Sequence, residues 1–453
     1  MTTTEHGKAL AAFSSTLRWA EVPAALQAKL IDHVVDTAGV MYSGIPMQAC
    51  KDACMAAVLW GASDEACVVG TALRLPAASA AFLNALHARI HTFDDTYEPG
   101  TLHTGSPVVA AALALAEKHA CDGETFLVAV LAGYEVASRV AAAVSPSHYA
   151  SGFHNTGTCT VFGATAAAAR LLGLDAAATA EAFGLAGATA GGIRQHQIDG
   201  SMLDSAFHGA RAAQSGVMVA QLRAAGVQGP PAILEGPMGF CKVMAPECDV
   251  ERLTRGLGQD YEFAKVTIKI YPTCRFVHGP TETAIALKRA HRIDAAAIRE
   301  VTVETFNQSI EVSNRPQLNT SFDAVVSHQY SVALALVKEQ VALSDITDYE
   351  NGDARALALM KKVRVLHSDS LEKDFPRSWP HRVSVHMNDG RSHVQLSQYP
   401  PGRVTPIASD AVDDKFLSQC APYLGDERAK RALALLRDVA GCGNLRVVAE
   451  ALV

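Results

Sequence analysis

Apolar residues recur at helical spacing over almost all of residues 9–240. Ala9 to Leu17, Ala24 to Tyr42, Ala77 to Ala88, Pro107 to Ala120, Thr125 to Val144, Val161 to Leu172 and Ala176 to Ala188 each repeat with that period. Start and stop signals accompany them. Ser106 followed by Pro107 suits an N-cap and first turn, Asp175 can cap the helix after it, and Gly173 can end the one before. Several of these helices lack a clear polar face, as in the run Ala111 to Ala116 and in Thr165 to Ala168. A helix apolar all round must bury itself in a large bundle or against another subunit. The pattern therefore predicts a big helical domain and a sizeable oligomer contact, in the simplest case a homodimer.

The period changes near residue 262. Val301 to Phe306, Lys362 to Leu366, Arg382 to His386 and His393 to Leu396 read as strands, with Asn388-Asp389-Gly390 as a hairpin turn between the last two. Helical stretches at Pro280 to Ala290 and Tyr330 to Val337 lie among them. Beyond Tyr399 to Gly402 the chain returns to helices at Asp413 to Tyr423, Glu427 to Val439 and Leu445 to Val453. The expected fold is mainly α. A large all-helical domain, residues 1–262 and 401–453, is interrupted by a smaller inserted α+β lid domain, residues 263–400. A cleft between the two is a natural ligand site.

Composition narrows the function classes. The 453 residues are 49% hydrophobic, and the formal net charge of −7 is spread along the chain. No basic patch points to nucleic acid or to a lipid surface. The ten cysteines include no CxxC pair and no compact disulfide framework, which suits a reducing cytoplasm. Met1 to Lys8 lacks the apolar centre of a signal peptide. The apolar stretch Phe126 to Tyr134 is followed by Glu135 and Arg139 and is too short to span a bilayer.

Four polar clusters could carry chemistry. The densest runs from His91 to Pro107 and contains Asp94, Asp95, Thr96 and His103 between two apolar helices. It admits three readings: a capping turn, a metal site that includes the HxxxH pair His87 and His91, or a metal-free catalytic loop. The HExxH glutamate is absent, since Ala88 stands there. The second cluster, Gly152 to Gly157, holds His154 just before a helix, where an anion is favoured. The third, Lys269 to His278, brings Lys269, Cys274, Arg275 and His278 to a helix start. Arginine suits carboxylates, and positive neighbours would activate a cysteine. The fourth runs from Asn314-Arg315-Pro316 to Tyr330, a possible acid or orienting donor. GxSxG, the Walker loop and GxGxxG in strand–helix context are all absent.

In this order the clusters resemble the MmgE/PrpD family, which includes 2-methylcitrate dehydratase, cis-aconitate decarboxylase and iminodisuccinate epimerase. Phe93-Asp94-Asp95-Thr96, His103 before a small-residue Pro helix, Phe153-His154, Ala212-Ala213 with Gly216, Lys269 with Tyr271-Pro272, the Asn314 triplet and Tyr330 carry the resemblance over nearly the whole chain. Three positions depart from it: Thr92 stands for an acid, no lysine occurs around Asp204-Ser205, and Cys274 stands where a histidine is frequent. Arg194, His196 or His208 could supply a substitute charge. The resemblance implies a helical domain with an α+β lid, a homodimer, no metal, and site residues Asp94, Asp95, Thr96, His103, His154, Lys269 and Tyr330.

The expected activity is that of a cofactor-free lyase on a small polycarboxylic acid, a dehydratase or decarboxylase. His103 or His154 moves a proton α to a carboxylate, Asp94 orients a partner, and Lys269 and Tyr330 complete the catalytic set. Asp95, Thr96, Arg275, Cys274 and His278 bind substrate. An epimerase and a non-catalytic ligand-binding relative are the alternatives.

Overall fold

The computed structural model describes residues 5–453, apart from the side chains of Met202 and Asp204. Residues 1–4 of the leader expectation, and the Asp204 side chain near the absent lysine, lie outside the described residues. The chain is mainly α. Helices His6–Thr16, Ala24–Gly44, Gln48–Val58, Ala77–Arg89, Gly105–His119, Gly123–Val144, Thr160–Leu171, Ala176–Gly187 and Met202–Ala224 build the first half. Two short pairings interrupt it: β1 (Ala66–Cys67) with β2 (Arg74–Leu75), and β3 (Thr96–Tyr97) with the later β4 (Val266–Thr267). Strands of two residues are too short to show an alternating period, so the sequence pattern missed them.

The helices expected to face another subunit are enclosed by this chain itself. Gly105 through Glu117 are all buried, and so is every residue of Thr160–Leu171 except Arg170. Small residues let these helices meet backbone to backbone. A Cβ on Gly163 would stand 2.5 Å from the carbonyl oxygen of Gly133, closer than real contacts allow. Between them lies Gly123–Val144, whose apolar run is far longer than Phe126 to Tyr134. Its 22 residues are long and apolar enough to cross a membrane, yet its most apolar window is wholly buried in the protein. It also carries a buried ion pair, Arg139 Nε to Glu135 Oε2 at 3.0 Å.

Local signals fared unevenly. Asp175 accepts the amide of Ala178, and Gly173, at φ +68°, follows the Thr160–Leu171 helix in the left-handed conformation that suits glycine. Ser106 is not a cap, because the Gly105–His119 helix begins one residue before it. Asp95 caps this helix from upstream, its Oδ1 accepting the amides of Thr104 at 3.2 Å and Gly105 at 2.8 Å.

Residues 271–387 contribute a second hydrophobic core. Its sheet runs in the order β6 (Val363–His367), β5 (Ile298–Thr305), β7 (His381–Met387), β8 (Ser392–Ser397), with β5 and β6 parallel and the other pairs antiparallel. Helices Arg275–His291 and His328–Lys338 pack on it. The first starts five residues before Pro280, which the fold takes inside the helix instead of in its first turn. Helices Ser409–Leu424 and Asp426–Arg437 return to the first core. There Phe416 packs on Gly39 so closely that a Cβ would lie 3.0 Å from its Cα.

Candidate active site

The loop after Ala77–Arg89 and the start of the second core enclose one cavity. Arg89, Thr92, Thr96, His103, His154 and Arg275 face it. Cys274 also lines it, with Ser205, His196 and Gln197 from the first half and Phe276, Phe322 and Trp379 from the second. His103 and His154, 51 residues apart in sequence (154 − 103), therefore share one hollow.

His103 is oriented by backbone. Its Nδ1 lies 2.8 Å from the carbonyl oxygen of Asp95, with Thr96 Oγ1 at 3.3 Å and Asp94 Oδ1 at 3.7 Å. A carbonyl oxygen can only accept, so Nδ1 carries the hydrogen and Nε2 keeps its lone pair. Burial, with Arg89 and Lys269 nearby, holds the ring well below the ordinary imidazole range. His103 is thus neutral, with Nε2 unprotonated. The His154 Nδ1 lies 2.9 Å from the His208 Nδ1, and burial followed by the His196 and His208 rings depresses its basicity in the same way.

Each carboxylate of the Asp94-Asp95 pair is consumed by protein contacts. Asp94 accepts from Arg89 at 2.8 Å and from the Ser106 hydroxyl at 2.5 Å. Besides the two amides, Asp95 accepts from the Tyr134 hydroxyl at 2.6 Å, and its Oδ2 lies 2.8 Å from His33 Nδ1. Burial works to raise the Asp95 pKa, but the His33, Tyr134 and Gly105 hydrogen bonds outweigh it and hold the group below the usual carboxylate range. Gly105 is required here, because a Cβ would sit 2.7 Å from the Tyr134 hydroxyl and 2.9 Å from Asp95 Oδ2. The N-terminus of the Gly105–His119 helix is therefore filled by Asp95, and this carboxylate does not line the cavity.

Lys269 is fully buried, and Nζ ends 2.5 Å from the carbonyl oxygen of Thr92. Thr92 forms the cavity wall at that point, and Lys269 stands behind it. Burial pulls the ammonium down to about 7 despite the nearby Asp94. Thr92 and Thr101, both on the wall, have φ of +53° and +47°. For residues with a Cβ, such left-handed conformations cost on the order of 1–3 kcal/mol each and cluster at functional sites.

Two guanidiniums bring positive charge to the hollow. Arg275 holds Glu98 at 2.9 Å and the Pro401 carbonyl at 2.6 Å, which leaves its buried Nη1 without a partner. The buried Nε of Arg89 is also unpartnered. Among the described residues neither nitrogen has an acceptor, which leaves both able to bind one from a ligand. Arg89, absent from the residues singled out by sequence, was marked only by its charge at the end of an otherwise apolar helix.

Two expected residues have other roles. Tyr330 is buried in the second core and donates to the carbonyl of Asp345 at 2.9 Å, away from the cavity. His278 does not line the hollow, and its Nε2 lies 3.3 Å from the Thr273 carbonyl. Burial pushes the Cys274 thiol up despite Lys269 nearby, so the activated thiolate that neighbouring charge suggested is not favoured. His87 and His91 face Cys54 and the Ser43 carbonyl respectively and do not converge with Asp94. Among the described residues, no group of three or more His, Cys, Asp or Glu side chains is gathered to hold a metal ion.

Residues 8–253 match the MmgE/PrpD N-terminal domain, and residues 271–439 match the MmgE/PrpD C-terminal domain. A cis-aconitate decarboxylase of Aspergillus terreus is 27% identical over 390 residues, covering 80% of this chain and 78% of the relative. The mouse cis-aconitate decarboxylase is 23% identical over 431 residues, covering 91% of this chain and 86% of its own.

Proposed function

The chain belongs to the MmgE/PrpD family, and on that premise we propose that it is a cofactor-free lyase of small polycarboxylic acids, with decarboxylation of a cis-aconitate-like substrate as the favoured reaction. One observation carries the reading. A neutral imidazole with its lone pair fixed at Nε2 shares a cavity with the side chains of Arg89 and Arg275, each of which keeps one guanidinium nitrogen without a partner among the described residues. Arg275 and Arg89 take substrate carboxylates, where a charge-assisted hydrogen bond is strong. They also stabilise the negative charge that develops as the electron pair of a breaking bond spreads into the substrate. His103 and His154 manage the proton. In decarboxylation the pair left by departing CO2 is quenched by a proton that an imidazole first takes up from water at its free nitrogen and then delivers as imidazolium, and in dehydration a neutral imidazole takes the α-proton first. Lys269 acts through the Thr92 carbonyl and through its field. The second core serves as the lid, closing the cavity with Phe276, Phe322 and Trp379.

The test is turnover of cis-aconitate in deuterated water after exhaustive chelation, followed by NMR and CO2 release. CO2 with one deuterium per product is the expected result. Water loss from hydroxy tricarboxylates would move the assignment to a dehydratase, and exchange without either loss to an epimerase. No turnover of any di- or tricarboxylate would leave only the ligand-binding alternative.

The homodimer also stands as part of this reading, on a different surface from the one first expected. Leu203, Phe207, Met218 and Leu222 are exposed along the Met202–Ala224 helix, and an unpaired apolar stripe of that kind marks a contact surface. Sedimentation of the wild type as a monomer at micromolar concentration would remove it.

A further inference from the structure

A second hollow lies against the catalytic cavity, and Thr101 and Trp379 line both. The wall between the two is therefore only these side chains and their neighbours. The outer hollow has an excess of positive charge: Arg252, Lys265, Arg377 and Arg403 line it against Glu98 and Glu262, with Lys265 paired to Glu262 at 2.8 Å and Arg377 to Asp374 at 3.6 Å. Glu98 ties the two spaces together. It holds Arg275 of the catalytic cavity at 2.9 Å and Arg403 of the outer hollow at 3.4 Å, so cations continue from one to the other. Arg377 is 81% exposed at the mouth.

This local excess of positive charge stands on a chain with a formal net charge of −7. A polyanion is repelled by the molecule as a whole, so the place where it can approach must be locally positive. A concave wall with an excess of one sign concentrates the field and raises the capture rate of oppositely charged ligands. Thr101 holds its left-handed conformation at the junction, and Trp379 supplies an apolar face beside it.

We propose that the basic hollow is the entry vestibule for the polycarboxylate, which passes between Thr101 and Trp379 to reach Arg275 and the histidines. The proposal rests on the carboxylate reading of the catalytic cavity. Arg377 and Lys265 form the outer capture point. Arg403, already engaged by Glu98, hands the anion to Arg275.

The test uses propane-1,2,3-tricarboxylate, a saturated tricarboxylate with no double bond to react, and follows its association by stopped-flow tryptophan fluorescence. The wild type is compared with Lys265→Glu/Arg377→Glu. A control, Arg355→Glu/Arg391→Glu, makes the same charge change at exposed residues that line neither hollow. The association rate constant of the vestibule variant should fall about tenfold at low salt, and the control should keep the wild-type rate. The gap should close by about 0.5 M salt, where screening shortens the field to a few ångströms. An unchanged rate in the vestibule variant, an equal fall in the control, or no saturable association with the wild type overturns the proposal. If cis-aconitate is turned over while the vestibule variant keeps its rate, the vestibule fails and the lyase reading stands. If no substrate is turned over while the association rate still depends on Lys265 and Arg377, the lyase reading fails and the vestibule stands.

Discussion

His103 and Asp95 are joined through the backbone of one and the ring of the other, with Nδ1 2.8 Å from the carbonyl oxygen. The same aspartate anchors its carboxylate to the amides of Thr104 and Gly105, to Tyr134 and to His33. Asp95 thus fixes both the loop and the base that the loop presents.

That double role separates two variants. His103→Ala should lower kcat by a factor of roughly 10²–10⁴, the usual range for a lost proton-transfer group, with unfolding little changed. Asp95→Asn should instead cost about 2–3 kcal/mol of stability, since an amide nitrogen would face donors in place of an acceptor. The folded pKa of Asp95 lies below its unfolded value, so its contribution is present above the unfolded pKa and is lost as pH falls through the folded one. Urea midpoints should therefore converge between wild type and Asp95→Asn only in acid, below about pH 4. A constant gap down to pH 2 would contradict the assignment.

Lys269 has the same sign of pH dependence as Asp95, in a higher pH window. Its folded pKa, about 7, is depressed from 10.5, so above pH 7 the unfolded chain binds more protons and stability rises with pH. Burying the charged form is costly below pH 7. Lys269→Met escapes that cost, and its stability relative to wild type should decline by about 1.4 kcal/mol per pH unit between pH 7 and 10. Denaturant titrations at pH 7 and 9 measure it, and a pH-independent difference would show that Lys269 titrates normally.

Arg275→Lys keeps the charge but loses the planar fork that serves Glu98, Pro401 and the cavity together. A lost hydrogen bond to a charged group is worth about 1.5–3 kcal/mol, so kcat/KM should fall roughly 10- to 100-fold. Full retention of kcat/KM would show that Nη1 does not meet the substrate.

Tyr330→Phe tests the residue that the structure moved. Its hydroxyl donates to the Asp345 carbonyl inside the second core, so its removal should cost about 1–2 kcal/mol of stability and leave kcat and KM within twofold. A large loss of kcat with normal stability would return Tyr330 to the active site.

The helices and the four longer strands were legible because period is a local property: each residue's face follows from its neighbours along the chain. Asp94, Thr96, His103 and His154 could be singled out because polar side chains between apolar helices have no packing reason to be there. Their partners were not legible. Nothing in the spacing says that Asp95 turns inward to His33, 62 residues earlier, or that Lys269 stops at the carbonyl of Thr92. Tyr330 and His278 look polar in sequence, but the second core buries one on Asp345 and the other beside Thr273. Trp379 and Phe322 reach the cavity only because the second core lies against the first. The sequence by itself determined most of the longer helices and strands and which loop gathers polar, titratable side chains between apolar helices. Only the tertiary structure decided which polar atoms are spent on one another and which stay free for a ligand, because a hydrogen bond between distant segments depends on how their elements pack and leaves no period in the chain.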